Sequence, residues 1–397
     1  MRYCGSLKSL SDTITFSLIP TSGQMKIVVI SQVVYPRQSP RSFRATELAK
    51  YFAKQGHEVV LYGSLGDYDY TTFSSSTGVQ VKSLGRLRFS TLNSSSSVRN
   101  SFFDKAFKTL FGRLFEYPDI ELAFKVKRVL QKERGVDLLV TVAIPYPIHW
   151  GAAWAKKTMG GDFAGTWISD CGDAYINNPV GPKKPFYFKY VEDFWGRQTD
   201  FVTYPINAPD DFLPSAQEKL HVIPQGFDFS TVRIVDSFTE SETIQFAYAG
   251  ATYPGYRDPT KLLEYLSSRS DVSFRFIVYT KARTHFLKYQ DALGDKLVLK
   301  DYIPREDLIY ELSKMDFLIN IKNDSAVQSP SKLIDYYLTK RPIIDISTAF
   351  NEKQILDEFL CRNYIHQHEK RDISCFDINR VGQQFLDLQK SKSDQNL

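Results

Sequence analysis

The feature that most constrains the fold is an alternation of short apolar runs with helical segments, which starts at Met25. Residues 25–30 form an apolar run of strand length, residues 46–55 carry apolar side chains at helical spacing, and residues 58–62 form another strand-length run. Strand, loop, helix and strand in this order make a βαβ unit, and such units pack with right-handed crossovers into a parallel sheet. The N-terminal part of the chain is therefore predicted to be a doubly wound α/β domain.

The same alternation continues through the rest of the chain. The first series goes on with apolar runs at 136–141 and 165–169 and a helix near 150–158. A second series has strands at 244–249, 274–279, 317–321 and 342–346 and helices at 260–269, 305–315 and 331–339. Two such domains in tandem leave a cleft between facing strand ends. The predicted fold class is α/β, with two Rossmann-like doubly wound domains facing across this cleft.

The predicted domain boundary lies where prolines interrupt the pattern, between Asn207 and Glu242. A chain of 397 residues exceeds what one hydrophobic core usually supports. We expect four parts: an N-terminal appendage at 1–24 that precedes a candidate start at Met25, an N-terminal domain at 25–206, a C-terminal domain at 207–380, and a terminal helix with a polar tail at 381–397.

Composition excludes several classes of protein. The 50 Lys and Arg residues exceed the 45 Asp and Glu residues by only five, and no long basic run indicates a nucleic-acid partner. The four cysteines show no metal-ligand spacing and do not form a disulfide scaffold, which favours a reducing compartment. No apolar stretch approaches the roughly 18 to 20 residues that cross a bilayer. The sequence predicts a cytoplasmic protein without a metal or other cofactor.

The segment Ser329-Pro330-Ser331-Lys332 is a candidate phosphate site. Pro330 breaks the preceding loop, and Ser331 is a candidate N-cap for the helix that follows. Free amides and the dipole at a helix N-terminus attract anions, so serine hydroxyls and a lysine there suit a diphosphate. Asp335, one turn on, is placed to accept hydrogen bonds from ribose hydroxyls. The alternative is an ordinary capped helix.

A second candidate donor loop follows the predicted strand at 244–249. Gly250 and Gly255 allow close backbone approach to a ligand, Tyr253 lies between them, and Arg257 precedes the next helix. A cation at this point is able to contact the same phosphates. The alternative is that Arg257 pairs with Asp258 or with solvent.

The N-terminal domain supplies the candidate acceptor residues. The loop with Ser39, Arg41 and Arg44 follows the first strand, at the edge where open α/β sheets bind ligands. Asp170 and Asp173 follow the strand at 165–169, and either carboxylate is a candidate to orient an acceptor hydroxyl or act as a base. A turn or helix cap is the alternative for one of them. His149 is a further candidate, although a structural histidine is the more common case.

These residues together resemble the GT-B glycosyltransferases of family 4 (group 1), a family that includes the sugar-nucleotide enzymes of bacterial surface polysaccharide assembly. The resemblance covers roughly residues 25–346. It is carried by Tyr35-Pro36, Ser39-Pro40-Arg41 to Glu47-Leu48-Ala49, Gln55-Gly56-His57-Glu58-Val59, Glu116-Tyr117-Pro118-Asp119, residues 168–173 and Ile223-Pro224-Gln225-Gly226-Phe227-Asp228.

The resemblance implies roles for three donor-side residues. Arg257 takes the position of the family's donor-phosphate lysine, Lys332 matches the lysine of its Pro-Ser-Lys variant, and Asp335 takes the place of the second glutamate of its Glu-x7-Glu motif. Two positions depart from the family pattern: Val327 stands where the first glutamate occurs, and the usual arginine falls near Ala251 or Thr252.

The resemblance implies a reaction as well. The expected activity is metal-independent transfer of a sugar, with retention, from a nucleoside-diphosphate sugar to a glycan or lipid-linked acceptor. Asp173, Arg257 and Lys332 are the expected catalytic residues. Two alternatives stay open: a GT-B sugar-nucleotide epimerase, and a catalytically inactive nucleotide-sugar-binding accessory protein, which the two departures favour.

One segment lies outside the α/β pattern. Between residues 102 and 115, aromatic and leucine side chains recur in pairs at helical spacing, and Lys105, Lys108 and Arg113 stand among them. A basic amphipathic helix of this kind is able to lie in an anionic leaflet. The expectation is peripheral contact at the inner face of the cytoplasmic membrane, and the alternative is a core helix packed on the first sheet.

Overall fold

The computed structural model describes residues 23–37, 39–88, 110–178, 183–206, 211–253, 255, 257–322 and 331–395. The chain divides into two compact units. The first unit takes the described residues up to Gly226 and again from Val381 onward, and the second runs from Phe227 to Arg380.

The first unit is built on a parallel sheet. In chain order the strands are β1 (Lys26–Ser31), β2 (Glu58–Gly63), β3 (Val79–Ser83), β4 (Leu138–Val142), β5 (Thr166–Asp170), β6 (Phe201–Tyr204) and β7 (Leu220–Val222). Their order across the sheet is β3-β2-β1-β4-β5-β6-β7, and every neighbouring pair is parallel. The strands β1, β4 and β5 are almost entirely buried on both faces because helices cover both sides of the sheet.

The helices of the first unit lie between these strands and at the C-terminus. They are α1 (Pro40–Lys54), α2 (Thr71–Thr77), α3 (Glu121–Leu130), α4 (Pro147–Met159), α5 (Phe188–Gln198), the short α6 (Pro214–Gln217) and, at the end of the chain, α13 (Ile378–Gln395). Residues 110–115 are also helical. Burial of large side chains between helices and sheet, among them Phe52, Trp167 and Trp195, forms the core of this unit.

The second unit repeats the plan on a smaller sheet. Its strands are β8 (Ile244–Ala249), β9 (Phe274–Tyr279), β10 (Leu297–Lys300), β11 (Phe317–Ile321) and β12 (Ile343–Ile346), in the order β10-β9-β8-β11-β12 and all parallel. Its helices are α7 (Thr260–Ser268), α8 (Thr284–Leu287), α9 (Gln290–Leu293), α10 (Arg305–Ser313), α11 (Ser331–Leu338) and α12 (Lys353–Leu360). Stacked Phe246, Phe276 and Phe317 lie at the centre of its core.

The predicted fold class is confirmed, since both units are parallel, doubly wound α/β structures. The C-terminal segment differs from the expected helix with a polar tail, because α13 continues to Gln395. Its polar end stays helical against the first unit, where Lys392 Nζ lies 2.7 Å from an Asp200 carboxylate oxygen and donates to the Gly165 carbonyl. Among the described residues, no helix combines the length and the apolar character needed to cross a membrane.

Candidate functional site

The carboxyl edge of the first sheet contains a topological switch point between β1 and β4. These two strands are neighbours, and from them the chain winds toward β3 on one side and toward β7 on the other. In open α/β sheets, ligands bind in the crevice outside the carboxyl ends of the strands at such a point. Residues that directly follow β1, β4 and β5 are therefore the ones placed to contact a ligand.

Arg44 and Asp170 form a buried ion pair at this edge. Asp170 ends β5 and is 1% exposed, and Arg44 on α1 is 2% exposed. Arg44 Nη2 lies 2.7 Å from Asp170 Oδ1, and Thr203 donates to the same oxygen at 2.8 Å. Arg44 also donates to the carbonyls of Ile223 and Pro224. Both residues predicted to contact an acceptor are thus brought together, but beneath the surface.

Arg41 is a cation beside this pair that remains partly exposed to solvent. Its Nη1 lies 3.2 Å from Asp170 Oδ2, and its side chain keeps 18% of its exposure. The guanidinium packs against Gly172, where an added Cβ would lie 2.9 Å from Arg41 Cζ. Burial lowers the pKa of Arg41, and the Asp170 charge opposes this effect. Exposed Asp173 follows on the same loop, so Arg41 and Asp173 are the predicted residues with access to a ligand.

The other two predicted acceptor residues have structural positions. Ser39 is the N-cap of α1, and its Oγ accepts a hydrogen bond from the Ser42 amide at 3.2 Å. His149 is fully buried, with Nδ1 2.8 Å from Thr141 Oγ1 and Nε2 3.6 Å from Cys171 Sγ. Burial lowers the pKa of His149 to about 3, so the imidazole is neutral. His149 lies below the edge, where its side chain has no access to an acceptor.

Two polar pairs near the end of β1 were not among the predicted site residues. Gln32, just after β1, donates to Asp119 Oδ1 at 3.1 Å, and burial raises the pKa of Asp119. Lys184 pairs with Glu116, whose carboxylate also accepts from Tyr175 at 3.2 Å. Glu116 and Asp119 belong to the segment Glu116-Tyr117-Pro118-Asp119, which the resemblance singled out without giving it a role. That segment was the signal available in the sequence.

The second sheet has its own switch point between β8 and β11. Gly250, directly after β8, has φ 142°, and Gly255 has φ 73°, so both need the freedom of glycine. Tyr253 is 53% exposed, and Arg257 Nη1 donates to the Ala251 carbonyl at 3.4 Å. Asp258 accepts from the Thr260 and Gly255 amides at 3.0 and 3.2 Å, so its hydrogen bonds stabilise the loop and the start of α7.

The helix α11 starts beside this loop. Ser329 and the side chains of Ser331 and Lys332 lie outside the described residues. Tyr336 of α11 accepts a hydrogen bond from the Ala249 amide at 2.8 Å, which fixes α11 to the end of β8. The loop after β8 and the helix α11 are therefore neighbours at the switch point.

Asp335 does not present an unpaired carboxylate. Arg305, at the start of α10, lies with Nε 2.8 Å and Nη2 2.6 Å from Asp335 Oδ1, and each side chain keeps 20% of its exposure. Burial raises the pKa of Asp335, and Arg305 opposes this rise. A cation in the first turn of a helix is electrostatically unfavourable, so the position of Arg305 was a signal in the sequence for an anionic partner.

Metal ligands are not clustered in the part of the chain that the structure describes. There, no group of three or more His, Cys, Asp and Glu side chains is arranged to hold a metal ion. At the carboxyl edges of the two sheets, arginine side chains pair with the carboxylates, and backbone amides stand beside them.

Comparison with known proteins establishes the fold. No protein-family model matches the sequence, and no curated protein sequence matches it significantly. Among solved structures, a glycosyltransferase from Rickettsia africae ESF-5 is similar with a TM-score of 0.59, 13% identity, and coverage of 94% of this chain and 99% of the other. The apo form of the lipopolysaccharide outer core galactosyltransferase WaaB gives a TM-score of 0.51, 12% identity, and coverage of 93% and 100%.

A third structure is an enzyme of another class. A protein from Listeria monocytogenes assigned as a UDP-N-acetylglucosamine 2-epimerase gives a TM-score of 0.50 and 12% identity, with coverage of 94% and 97%. The two sheets, their parallel order and these similarities together show that the chain has the GT-B fold.

Proposed function

We propose that this chain is a retaining, metal-independent glycosyltransferase of the family 4 type, in its Pro-Ser-Lys variant. It transfers a sugar from a nucleoside-diphosphate sugar to a glycan or lipid-linked acceptor in surface-glycan biosynthesis. One observation carries the proposal: the described donor candidates Gly250, Tyr253, Arg257 and Asp335 lie on the segments that follow β8 and β11, and most of the acceptor candidates lie on the segments that follow β1 and end β5. The similarity to GT-B glycosyltransferase structures supports it.

The donor diphosphate would bind between the loop after β8 and the start of α11. Gly250 permits close approach of the backbone, and Tyr253 offers an exposed ring for the nucleoside or sugar. Ser329, Ser331 and Lys332, with the first amides of α11, would contact the phosphates together with Arg257. These groups would neutralise the charge that develops as the diphosphate departs. Asp335, held by Arg305, is left to contact the ribose through its remaining acceptor capacity.

The acceptor would bind at the edge of the first sheet. Partly exposed Arg41 and exposed Asp173 would contact it, with Asp173 orienting the attacking hydroxyl. Arg44 and Asp170 would act by holding Arg41 in position. Ser39 would act indirectly, by capping the start of α1. His149 would also act indirectly, through its hydrogen bond in the interior below the edge.

Ligand binding tests the donor site. Thermal unfolding of the purified protein would be followed with UDP, GDP, CMP and their sugars, and with the variants Lys332→Ala and Arg257→Gln. A ligand at 100 times its Kd stabilises the folded state by about 2.7 kcal/mol, which raises the unfolding temperature measurably. We expect one nucleotide series to stabilise the protein and Lys332→Ala to abolish the effect. Lys261→Gln, at an exposed position of α7, is the matched control.

A stabilising nucleotide that stabilises Lys332→Ala equally would contradict the donor-site assignment. Turnover of the sugar nucleotide then distinguishes a transferase from an epimerase and from an accessory protein. A transferase needs an acceptor to consume the sugar nucleotide, whereas an epimerase converts it alone, a possibility supported by the similarity to the Listeria structure. An accessory protein would bind the nucleotide and consume none.

Membrane contact is a separate part of the proposal. Residues 102–109 lie outside the described residues, but Leu110 and Phe115 are 54% and 52% exposed. Tyr187 donates to the Leu114 carbonyl, which brings residues 110–115 against a second segment with Phe186 and Tyr190, 74% and 73% exposed. The exposed cations Arg113, Lys183 and Lys189 stand among these apolar side chains. Apolar side chains bordered by cations favour an anionic bilayer.

Vesicle sedimentation tests this contact. We expect Phe115→Glu with Phe186→Glu to weaken binding to vesicles of phosphatidylglycerol and phosphatidylcholine by at least tenfold. Ile365→Glu, at a side chain 78% exposed in the second unit, should leave binding unchanged. Equal binding by the wild type and the double variant, with both folded, would contradict membrane contact through this surface.

A further inference from the structure

A basic cavity of about 130 Å³ lies in the second unit, away from the predicted donor residues. Four of its lining side chains are cationic and none is a carboxylate. The lining residues are Tyr337, Lys340, Arg341, Ile343, Gln367, His368, Lys370, Arg371 and Ile373.

The cavity lies at the opposite edge of the second sheet from the loop after β8. Ile343 is the first residue of β12, while Lys340 and Arg341 lie in the turn that joins α11 to it. Because α11 connects two parallel strands, its C-terminus is at the amino edge of the sheet and its N-terminus at the carboxyl edge. A ligand in this cavity would therefore occupy a site separate from the donor phosphates.

Hydrogen bonds fix one wall of the cavity. His368 lies with Nδ1 2.8 Å from Asp345 Oδ2 and with Nε2 2.6 Å from the Tyr337 hydroxyl. Its backbone amide donates to the Ile343 carbonyl at 2.7 Å. The segment that carries Lys370 and Arg371 is thus bound to the side of β12.

The lining of the cavity has an excess of cationic side chains, of which Lys340, Lys370 and Arg371 are exposed to solvent. Lys340 and Arg341 follow the C-terminus of α11, where the helix dipole favours cations. Lys370 and Arg371 lie outside that helix, and four cations around one small cavity repel each other. Lys340 also has φ 59°, in the left-handed region where glycine usually ends a helix, so a lysine stands where glycine would be less strained.

Arg341 has a buried donor without a partner. Its guanidinium lies 3.5 Å from the Phe238 ring centroid, and Nη2 donates to the Asp316 carbonyl at 3.3 Å. Its Nε is buried and, among the described residues, has no hydrogen-bond partner. Burial lowers the pKa of Arg341, and Tyr364 and Asp316 only oppose this effect. A buried donor without a partner costs about 1–3 kcal/mol, which an anion oxygen would recover.

We propose that this cavity binds a phosphate group, contacted by Lys340, Arg341, Lys370 and Arg371. Since one water occupies roughly 30 Å³ of liquid, a cavity of about 130 Å³ has room for one tetrahedral oxyanion. The phosphate belongs either to a soluble anion or to a lipid headgroup, since the chemistry that the cavity recognises is the same. This site is independent of the proposed transferase activity.

Two binding assays on the full chain test the proposal. Both use protein with Lys332→Ala, Phe115→Glu and Phe186→Glu, so that neither the proposed donor site nor the proposed membrane surface contributes. In the first, inorganic phosphate is titrated calorimetrically at low ionic strength. In the second, the protein is sedimented with vesicles of phosphatidic acid in phosphatidylcholine. Each assay compares two double variants made in this background. The cavity pair is Lys370→Gln with Arg371→Gln. The matched pair is Lys261→Gln with Lys288→Gln, which removes two exposed charges of the same unit.

We expect the cavity pair to weaken binding at least tenfold in one assay and the matched pair to change it less than twofold. Loss of phosphate binding assigns the site to a soluble anion, and loss of vesicle binding alone assigns it to a headgroup. The proposal is overturned if neither ligand binds, or if both pairs weaken binding equally, because charge alone would then explain the result. Circular dichroism confirms that the variants fold.

Discussion

Asp170 is the residue on which the carboxyl edge of the first sheet depends. It accepts hydrogen bonds from Arg41, Arg44 and Thr203 while only 1% exposed. Its neutralisation would leave the Arg44 guanidinium buried without a countercharge, and breaking a buried pair from one side costs far more than breaking a surface pair.

We predict that Asp170→Asn lowers the free energy of unfolding by about 3–5 kcal/mol, because Arg44 stays charged and buried. Urea unfolding followed by tryptophan fluorescence measures the change. Asp193→Asn is the control, since Asp193 pairs with Arg197 at 2.8 Å where the two side chains are 36% and 71% exposed. Its cost should stay below about 1 kcal/mol. Similar costs for both variants would mean that the pair at Asp170 is not effectively buried.

Glu192 should make the stability of the first unit depend on pH near neutrality. Burial raises its pKa to about 7, although the Leu213 and Ile176 amides donate to its carboxylate and oppose the rise. Between its ordinary pKa and about 7, the folded state binds more protons than the unfolded state. Stability is therefore greatest below the unfolded pKa and falls as pH rises toward and through 7.

We predict that this dependence amounts to about 3 kcal/mol between pH 4.5 and 8 and disappears in Glu192→Gln. The measurement is the urea midpoint against pH for both proteins. The variant should be less stable at low pH, because a glutamine has one oxygen for two amide donors, but its curve should be flatter over this range. Parallel curves would show that another group is responsible.

The residues of the two sites were predictable to different degrees. Arg41, Asp173, Gly250 and Arg257 could be proposed because they lie in the segments that follow strands at a sheet edge. The ion pairs between these residues could not be predicted, because their members are distant along the chain. Arg44 and Asp170 are 126 residues apart, and Arg305 and Asp335 are 30 residues apart. His149 was misplaced because burial of a side chain is a tertiary property that spacing along one helix does not reveal.

Among the elements, the helix α13 packs tightly against α1. An added Cβ at Gly382 of α13 would lie 2.2 Å from Tyr51 Cδ1, and Tyr51 is only 5% exposed. The two helices α13 and α1 therefore approach each other at a point where only glycine fits without displacement. Since α1 carries Arg41 and Arg44, the position of α13 also bears on the candidate acceptor site.

We predict that Gly382→Ala destabilises the first unit by about 1–3 kcal/mol through overpacking, although alanine has the higher helix propensity. Calorimetric unfolding measures the effect. The control is Gly161→Ala, since an added Cβ there meets nothing within 4 Å. A stabilised Gly382→Ala protein would mean that propensity outweighs the close contact with Tyr51.

Most strands of the sheet interiors and the edge strand β12 could be predicted from the sequence, whereas the shorter or more polar β3, β6, β7 and β10 could not. The runs that became β1, β4, β5, β8, β9 and β11 are continuous and apolar because both faces are covered. Of the strands that were not predicted, β3 combines Val79 and Val81 with polar residues, and β7 has only three residues. Short or mixed segments of this kind acquire strand structure from pairing with a neighbour, which sequence periodicity does not encode.

At the scale of the whole chain, the second unit is inserted into the first. The chain leaves the first unit after Gly226 and returns to it at Val381. Within the second unit, the two ends are joined by hydrogen bonds, because the Phe227 amide donates to Phe376 and the Ile378 amide donates to Phe227. The return segment then buries Phe385, whose ring centroid lies 5.0 Å from Arg44 Cζ.

We predict that a chain ending at Arg380 loses the calorimetric transition of the first unit and keeps that of the second. Removal of α13 exposes the pocket filled by Val381, Phe385 and Leu386, each buried side chain being worth about 1.5–3 kcal/mol. That loss is comparable with the total stability of a domain. A chain ending at Leu388 retains all three side chains and is the control. Unchanged transitions in the shorter chain would show that α13 is dispensable.

The burial of Phe385 against Arg44 has a consequence for biosynthesis. A ribosome adds about 5–20 residues per second, so the roughly 340 residues between Arg44 and Phe385 separate the synthesis of these two partners by tens of seconds. During that interval the second unit is fully synthesised, whereas the first unit still lacks the helix α13. The candidate acceptor surface is therefore completed only after the second unit has been synthesised.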